Sequence, residues 1–167
     1  PNDPFFLYFG FVPEGNPNDA VVLFDEVGDV AACAARLDMM SIAEAGERAA
    51  AAAAAWDEEK KNGGSGAPTR MVITREGIDE GVMRAAAALG LDGTDAFNAL
   101  LEGRCKELLR EYPTKLKEDR GLLMSGTLSE NEFTSTLYKM SKKEVLLGPL
   151  AAAAARQREA GGTIMQV

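Results

Sequence analysis

A run of apolar residues at helical spacing limits the architecture more than any other feature of this sequence. Phe97, Leu100, Leu101, Cys105, Leu108, Leu109 and Tyr112 recur every three or four positions. At that spacing side chains stack on one side of an α-helix and must be buried together. Pro113 ends the run, because proline lacks an N–H and clashes with the preceding turn. A chain organised around such a stripe is predicted to be mainly α, a multi-helix bundle.

Shorter stripes extend the pattern. Val27, Val30, Ala31, Ala34 and Leu37 follow acidic residues, and Ile78, Val82, Ala86 and Leu89 are stopped by Gly90. Thr94 or Asp95 is expected to cap the long helix, and Thr114 to cap a short one carrying Leu116, Leu122 and Leu123 and closed near Gly126. Ser129 and Glu132 read as a capping box, with Leu128 and Phe133 at staple positions. The last helix carries Phe133, Leu137, Met140 and Glu144, and Pro149 is expected to kink or break it before Ala151–Ala155. At the start, Asp3 and Pro4 suit a helix beginning, and Gly10 suits a left-handed turn end. Two β-type runs, 20–24 and 69–74, are expected to pair as a small two-stranded element. Residues 44–68 read as an Ala/Gly-rich insertion, a helical extension to Lys61 and then a flexible loop, of which 49–66 offers little to pack.

Charge and composition narrow the function. The chain holds 18 Lys and Arg against 26 Asp and Glu, a net charge of −8 with a pI near 4.7. That argues against a nucleic-acid or anionic-membrane partner, which calls for a basic face. With no histidine in 167 residues, neither a Ser-His-Asp or Cys-His nucleophile nor a His-ligated metal can be built from this chain alone. Cys33 and Cys105 are far apart in sequence and form no CxxC, so a thiolate metal site has little support and a reducing, intracellular compartment is expected. No apolar run reaches the ~18–20 residues that span a bilayer. Phe5–Val12 is short and lacks a basic flank, so it is not a signal peptide. The chain begins at Pro1 without a methionine, which reads as a piece of a longer protein.

The residues that could carry chemistry have plainer readings. Gly63-Gly64-Ser65-Gly66 lacks the following GKS/T of a phosphate cradle and reads as a linker. Glu58-Glu59 and Glu118-Asp119 are adjacent on helices and point apart, so a solvated face is the expectation. Lys115, Lys117, Arg120, Lys139, Lys142 and Lys143 give a local basic tilt: ordinary helix-surface charge, or a docking patch for an acidic protein surface. Cys105 reads as a small core residue.

Three stretches resemble a known family. Leu7-Tyr8-Phe9-Gly10-Phe11-Val12, followed by Asn16-Pro17-Asn18-Asp19, looks like the end of the SET domain in methyltransferases of the Rubisco large-subunit type. Tyr112-Pro113-Thr114-Lys115-Leu116-Lys117-Glu118-Asp119 fits the Y-x-T-x-x-x-E-D signature of the helical substrate-binding domain that follows SET there. Tyr138 to Leu146 resembles that domain's R-x-x-E-K-x-I-L end. The resemblance implies three parts: the end of a SET domain and a turn over 1–19, a helical substrate-binding domain over 20–160 interrupted by the 44–68 insertion, and a tail over 161–167. It also implies a role, holding a protein substrate for a protein-lysine N-methyltransferase. The methyl donor, S-adenosylmethionine, would be bound outside this chain, and this segment alone would be inert. Chloroplast residence is an expectation from the family, with cytoplasm and nucleus left open. The rival reading is a stand-alone helical interaction module without catalysis.

The resemblance also singles out Phe9. The family has a tyrosine there lining the methyl-transfer site, and phenylalanine keeps the ring but removes the hydroxyl. Losing one preorganised catalytic hydrogen bond costs about 10²–10³ in rate. The parent enzyme is therefore expected to be slow or inactive on lysine, and Phe9→Tyr to raise its turnover. A methylation assay checks this. Robust wild-type activity that vanishes in Tyr8→Phe would instead give the role to Tyr8, one residue earlier.

Overall fold

The computed structural model describes residues 3, 6, 7, 10–13, 16 and 19–162, with the side chains of 153 and 156–162 outside the description. Phe9 and Tyr8 lie outside the described residues. In chain order the elements are β1 (Ala20–Val22), α1 (Val27–Arg36), α2 (Ile42–Lys61), β2 (Val72–Thr74), α3 (Glu80–Ala88), α4 (Thr94–Arg110), α5 (Leu116–Ser125) and α6 (Glu130–Gly162). The chain is mainly α, as the stripes predict, and β1 and β2 form one small antiparallel sheet. Among the described residues no helix is long and apolar enough to cross a membrane.

The chain divides into two compact units. One consists of Val22–Ile73 and Gly77–Arg104. In it α1 packs on α2, and both touch α3. The predicted face of α1 is buried through Val27, Val30, Ala31 and Ala34, joined by Cys33. The start of α2 is set by Ser41, whose hydroxyl oxygen accepts the Glu44 N–H at 3.2 Å, answering one of the donors that a helix start leaves unpaired.

The expectation that residues 49–66 offer little to pack is overturned at Ala52 and Trp56. Ala45, Ala52 and Trp56 are buried. Alanine presents little bulk and lets a neighbouring helix approach closely, while a tryptophan brings a large apolar area to one point. The loop after α2 is not a free linker either. The Arg84 guanidinium lies 6.0 Å above the Trp56 ring. It also donates to Glu59 Oε2 at 3.1 Å, Ser65 Oγ at 3.2 Å and the Gly66 carbonyl at 3.1 Å. Gly66 has φ +68°, and a Cβ there would stand 3.3 Å from the Trp56 carbonyl oxygen, so glycine suits the position on both counts.

The strand region of this unit is fastened by backbone bonds. The Leu23 and Phe24 N–H groups both donate to the Met71 carbonyl, at 2.9 and 3.3 Å, and the Asp79 N–H donates to the Val72 carbonyl at 3.0 Å. Arg104 Nε donates to the Leu23 carbonyl at 2.8 Å. Leu23, Val30, Val82, Leu89 and Leu100 are fully enclosed.

The other unit consists of Pro1–Val21, Thr74–Glu76 and Cys105–Val167. In it α5 packs on α6. Gly126, at φ +67°, closes α5 as expected. The Ser129–Glu132 capping box is formed, with the Ser129 N–H donating to Glu132 Oε2 at 2.9 Å. One helix start differs from the expectation, and of the kink or break expected at Pro149 the break does not occur. α4 already includes Thr94, because the Phe97 N–H reaches back to the Gly93 carbonyl at 2.8 Å. α6 continues through Pro149 to Gly162. A proline removes one helical hydrogen bond. Here fully buried Leu146 stands just before it, and the alanine run that follows has the strongest helix propensity.

The two glycines Gly46 and Gly81, both inside helices, are predicted to respond to Ala with opposite signs. A Cβ on Gly46 meets nothing within 4 Å, whereas on Gly81 it would collide with the Arg70 carbonyl oxygen, a backbone atom that cannot swing away. Gly46→Ala should stabilise by about 0.5–1 kcal/mol through helix propensity, and Gly81→Ala should destabilise. Urea unfolding of the two variants checks this, and a stabilised Gly81→Ala would contradict the close approach.

Candidate functional site

Consecutive residues on a helix point about 100° apart, so neighbouring side chains on α6 serve different partners. Ser141, Lys142 and Lys143 are all buried. The Lys142 ammonium donates to Asp19 Oδ1, to the Ala20 carbonyl and to Asp3 Oδ2, each at 2.7 Å. The Ser141 hydroxyl donates to Asp19 Oδ2. Tyr138, one turn earlier on the same face, donates its hydroxyl to Asp3 and stacks on Phe6 with ring centres 4.6 Å apart. Burial works against ionisation of Asp3, but hydrogen bonds from Lys142 and Tyr138 more than offset it and hold the carboxyl below its ordinary range. The Tyr138 hydroxyl is pushed well above its usual value, first by burial and then by its bond to Asp3.

Lys143 turns the other way. Its ammonium pairs with Asp119, donates to Thr114 Oγ1 at 3.0 Å and lies 5.0 Å from the centre of the Tyr112 ring. The Thr114 hydroxyl in turn donates to the second oxygen of Asp119. Tyr112, Thr114 and Asp119 therefore surround one buried ammonium, which gives each of these signature positions a physical task. The signature's Glu118 has a different one: its Oε2 accepts the Lys115 N–H at 2.7 Å at the start of α5. Burial raises the Tyr112 hydroxyl, with Glu111, Asp3 and Asp19 adding to it. On the remaining side of α6, Glu144 accepts from Arg75 at 2.8 Å and Arg120 at 3.2 Å. Burial opposes ionisation of Glu144, but the two guanidinium hydrogen bonds prevail and its carboxyl is held below the usual value.

These contacts correct several expectations. Asp119 is 1% exposed, not on a solvated face, while its neighbour Glu118 is exposed. Thr114 does not cap α5; Lys115 stands at that position. Of the basic tilt, Lys142 and Lys143 are internal, and Arg120 is paired with Glu144. Cys105 is buried, as read from the stripe. Asp3, Asp19 and Arg75 were not recognised from the sequence as partners of α6. A faint signal existed: Lys142 and Lys143 lie within one helical turn of the apolar pair Val145-Leu146, with Glu144 between, and lysines placed near apolar neighbours call for carboxylates elsewhere in the chain.

Beside Lys143 a cleft of about 610 Å³ opens among the end of α4, the Tyr112–Lys115 turn, the start of α5 and α6. Leu109, Leu116 and Leu147 give it half-buried apolar walls, and Arg110, Lys115 and Lys117 stand exposed around it. Among the described residues, no group of three or more His, Cys, Asp or Glu is placed to hold a metal ion.

Asp119 and Glu118 are predicted to differ sharply on truncation. Asp119→Ala leaves the Lys143 charge buried without its counter-ion and should cost about 3–5 kcal/mol. Glu118→Ala removes a cap and should cost about 1 kcal/mol. Chemical denaturation measures both, and equal losses would contradict the separation of roles.

The Rubisco LSMT substrate-binding family matches residues 37–146, well over half of the chain. The match takes in α2 and its buried Trp56, the whole Tyr112–Asp119 signature, and α6 as far as Leu146. No curated protein and no solved structure matches the chain. The signature quoted for this family is the stretch that encloses the Lys143 ammonium, and the chain belongs to the Rubisco LSMT substrate-binding domain family.

Proposed function

We propose that this chain is the substrate-recognition domain of a SET-type protein-lysine N-methyltransferase, holding a protein substrate while methyl transfer from S-adenosylmethionine takes place in a SET domain. The observation that carries this reading is the family match over residues 37–146. The SET assignment is supported by the residues of the 1–19 segment, which precede the matched range. On this reading the methyl donor is bound outside this chain, in the SET domain. The task of this chain is therefore binding and orientation. Holding the target lysine near the reacting centre converts a bimolecular encounter into an intramolecular one.

The test uses the parent protein, as wild type and as Phe9→Tyr, and labelled S-adenosylmethionine, with extracts of its own cells as substrate. Removing residues 20–160 should abolish transfer to protein while the remaining SET part still binds the methyl donor. The isolated chain should give no heat of binding when titrated with S-adenosylmethionine. Protein methylation that survives the deletion, a parent with no SET domain, or micromolar binding of the methyl donor by this chain would each overturn the proposal.

A further inference from the structure

We infer that the cleft beside Lys143 binds a peptide segment carrying an apolar anchor flanked by acidic residues. This rests on the substrate-binding reading above and adds the chemistry of the segment held.

The cleft's apolar walls, Leu109, Leu116 and Leu147, remain partly exposed, so an inserted aliphatic side chain would bury area on both partners. Its volume of about 610 Å³ lies in the range of small-ligand and side-chain pockets. The rim decides the partner's charge. Arg110, Lys115 and Lys117 are exposed there, and none has an ion-pair partner among the described residues. The acidic residue of the lining, Glu118, is turned onto the Lys115 backbone N–H. Lys143 is already neutralised by Asp119 and adds no free charge.

The rest of the molecule sharpens the contrast. A chain of net charge −8 repels acidic ligands as a whole. A local cationic rim is where such a ligand can approach, and complementarity of this kind sets specificity and encounter rate. A basic segment would be attracted to the chain at large but repelled here.

The intact chain is tested by fluorescence anisotropy with labelled peptides DEDLLDED, DEDAADED and KRKLLKRK. Saturable binding is expected for the first, with at least about tenfold weaker binding for the second and third. The double variant Lys115→Glu/Lys117→Glu should weaken DEDLLDED binding by about tenfold or more, and salt should weaken it too. Both side chains are exposed, and an unchanged circular dichroism melt confirms that the variant folds. Lys60→Glu/Lys61→Glu, on the exposed end of α2 in the other unit, should leave affinity within a factor of about two. Equal binding of the acidic and basic peptides, or equal losses from the two double variants, would overturn the inference. So would full methylation of the natural substrate by a parent enzyme carrying Lys115→Glu/Lys117→Glu. That last result would leave the substrate-recognition reading standing, because the deletion of residues 20–160 tests it independently.

Discussion

Two neighbouring lysines on α6, each closed by a buried aspartate, are the constraint on which the α5–α6 unit depends. Taking an ammonium and a carboxylate out of water costs several kcal/mol per ion, and only a close partner with further hydrogen bonds offsets that. Both lysines meet the condition. Lys142 is held by Asp19, Asp3 and the Ala20 carbonyl, and Lys143 by Asp119 and Thr114 with the Tyr112 ring over it. Because the two side chains leave the helix in different directions, one helical step ties α6 to the N-terminal stretch and to the Tyr112–Asp119 stretch. A rotation of α6 by one residue would leave both charges buried without partners, so the network selects the helix's rotational setting more than it adds net stability.

The α1–α3 unit is built on another principle. Its helices bury mostly small or branched apolar side chains: Val27, Val30 and Ala34 on α1, Ala45 and Ala52 on α2, Val82 and Ala85 on α3. Small residues permit close approach but leave little area per contact. Trp56 supplies a larger one, and Arg84 covers it while fastening the loop that follows α2. The alanine-rich stretch is thus a packed helix, and it lies within the range of the family match.

The signature positions and the proposed binding cleft are linked by geometry. Tyr112 and Thr114, which help enclose Lys143, also line the cleft, so the buried ion pair between Lys143 and Asp119 positions the turn from which Lys115 and Lys117 project. Leu116, between them, enters the apolar wall. The interior of the signature serves folding, and its exposed lysines form the rim of the proposed cleft.

Much of the fold was legible in the sequence because it rests on local rules. The centre of the α4 stripe (Leu100, Leu101, Cys105), the α1 and α3 faces, the Ser129–Glu132 box, the Gly126 turn and the pairing of the two short strands all follow from periodicity and capping within a few residues. The Tyr-x-Thr spacing and its Glu-Asp end were visible as a motif, but not the task of each residue. Tertiary structure alone decided that Asp119 is internal while Glu118 is exposed, that Lys142 and Lys143 are core residues, and that Thr114 serves an ion pair and not a helix end. Asp19 lies 123 positions from Lys142, and Asp119 lies 24 from Lys143. Whether a charged residue is solvated or buried depends on what chain folding brings to it. Local sequence sets a residue's face on its helix, and the partner that makes burial of a charge tolerable comes from elsewhere in the chain.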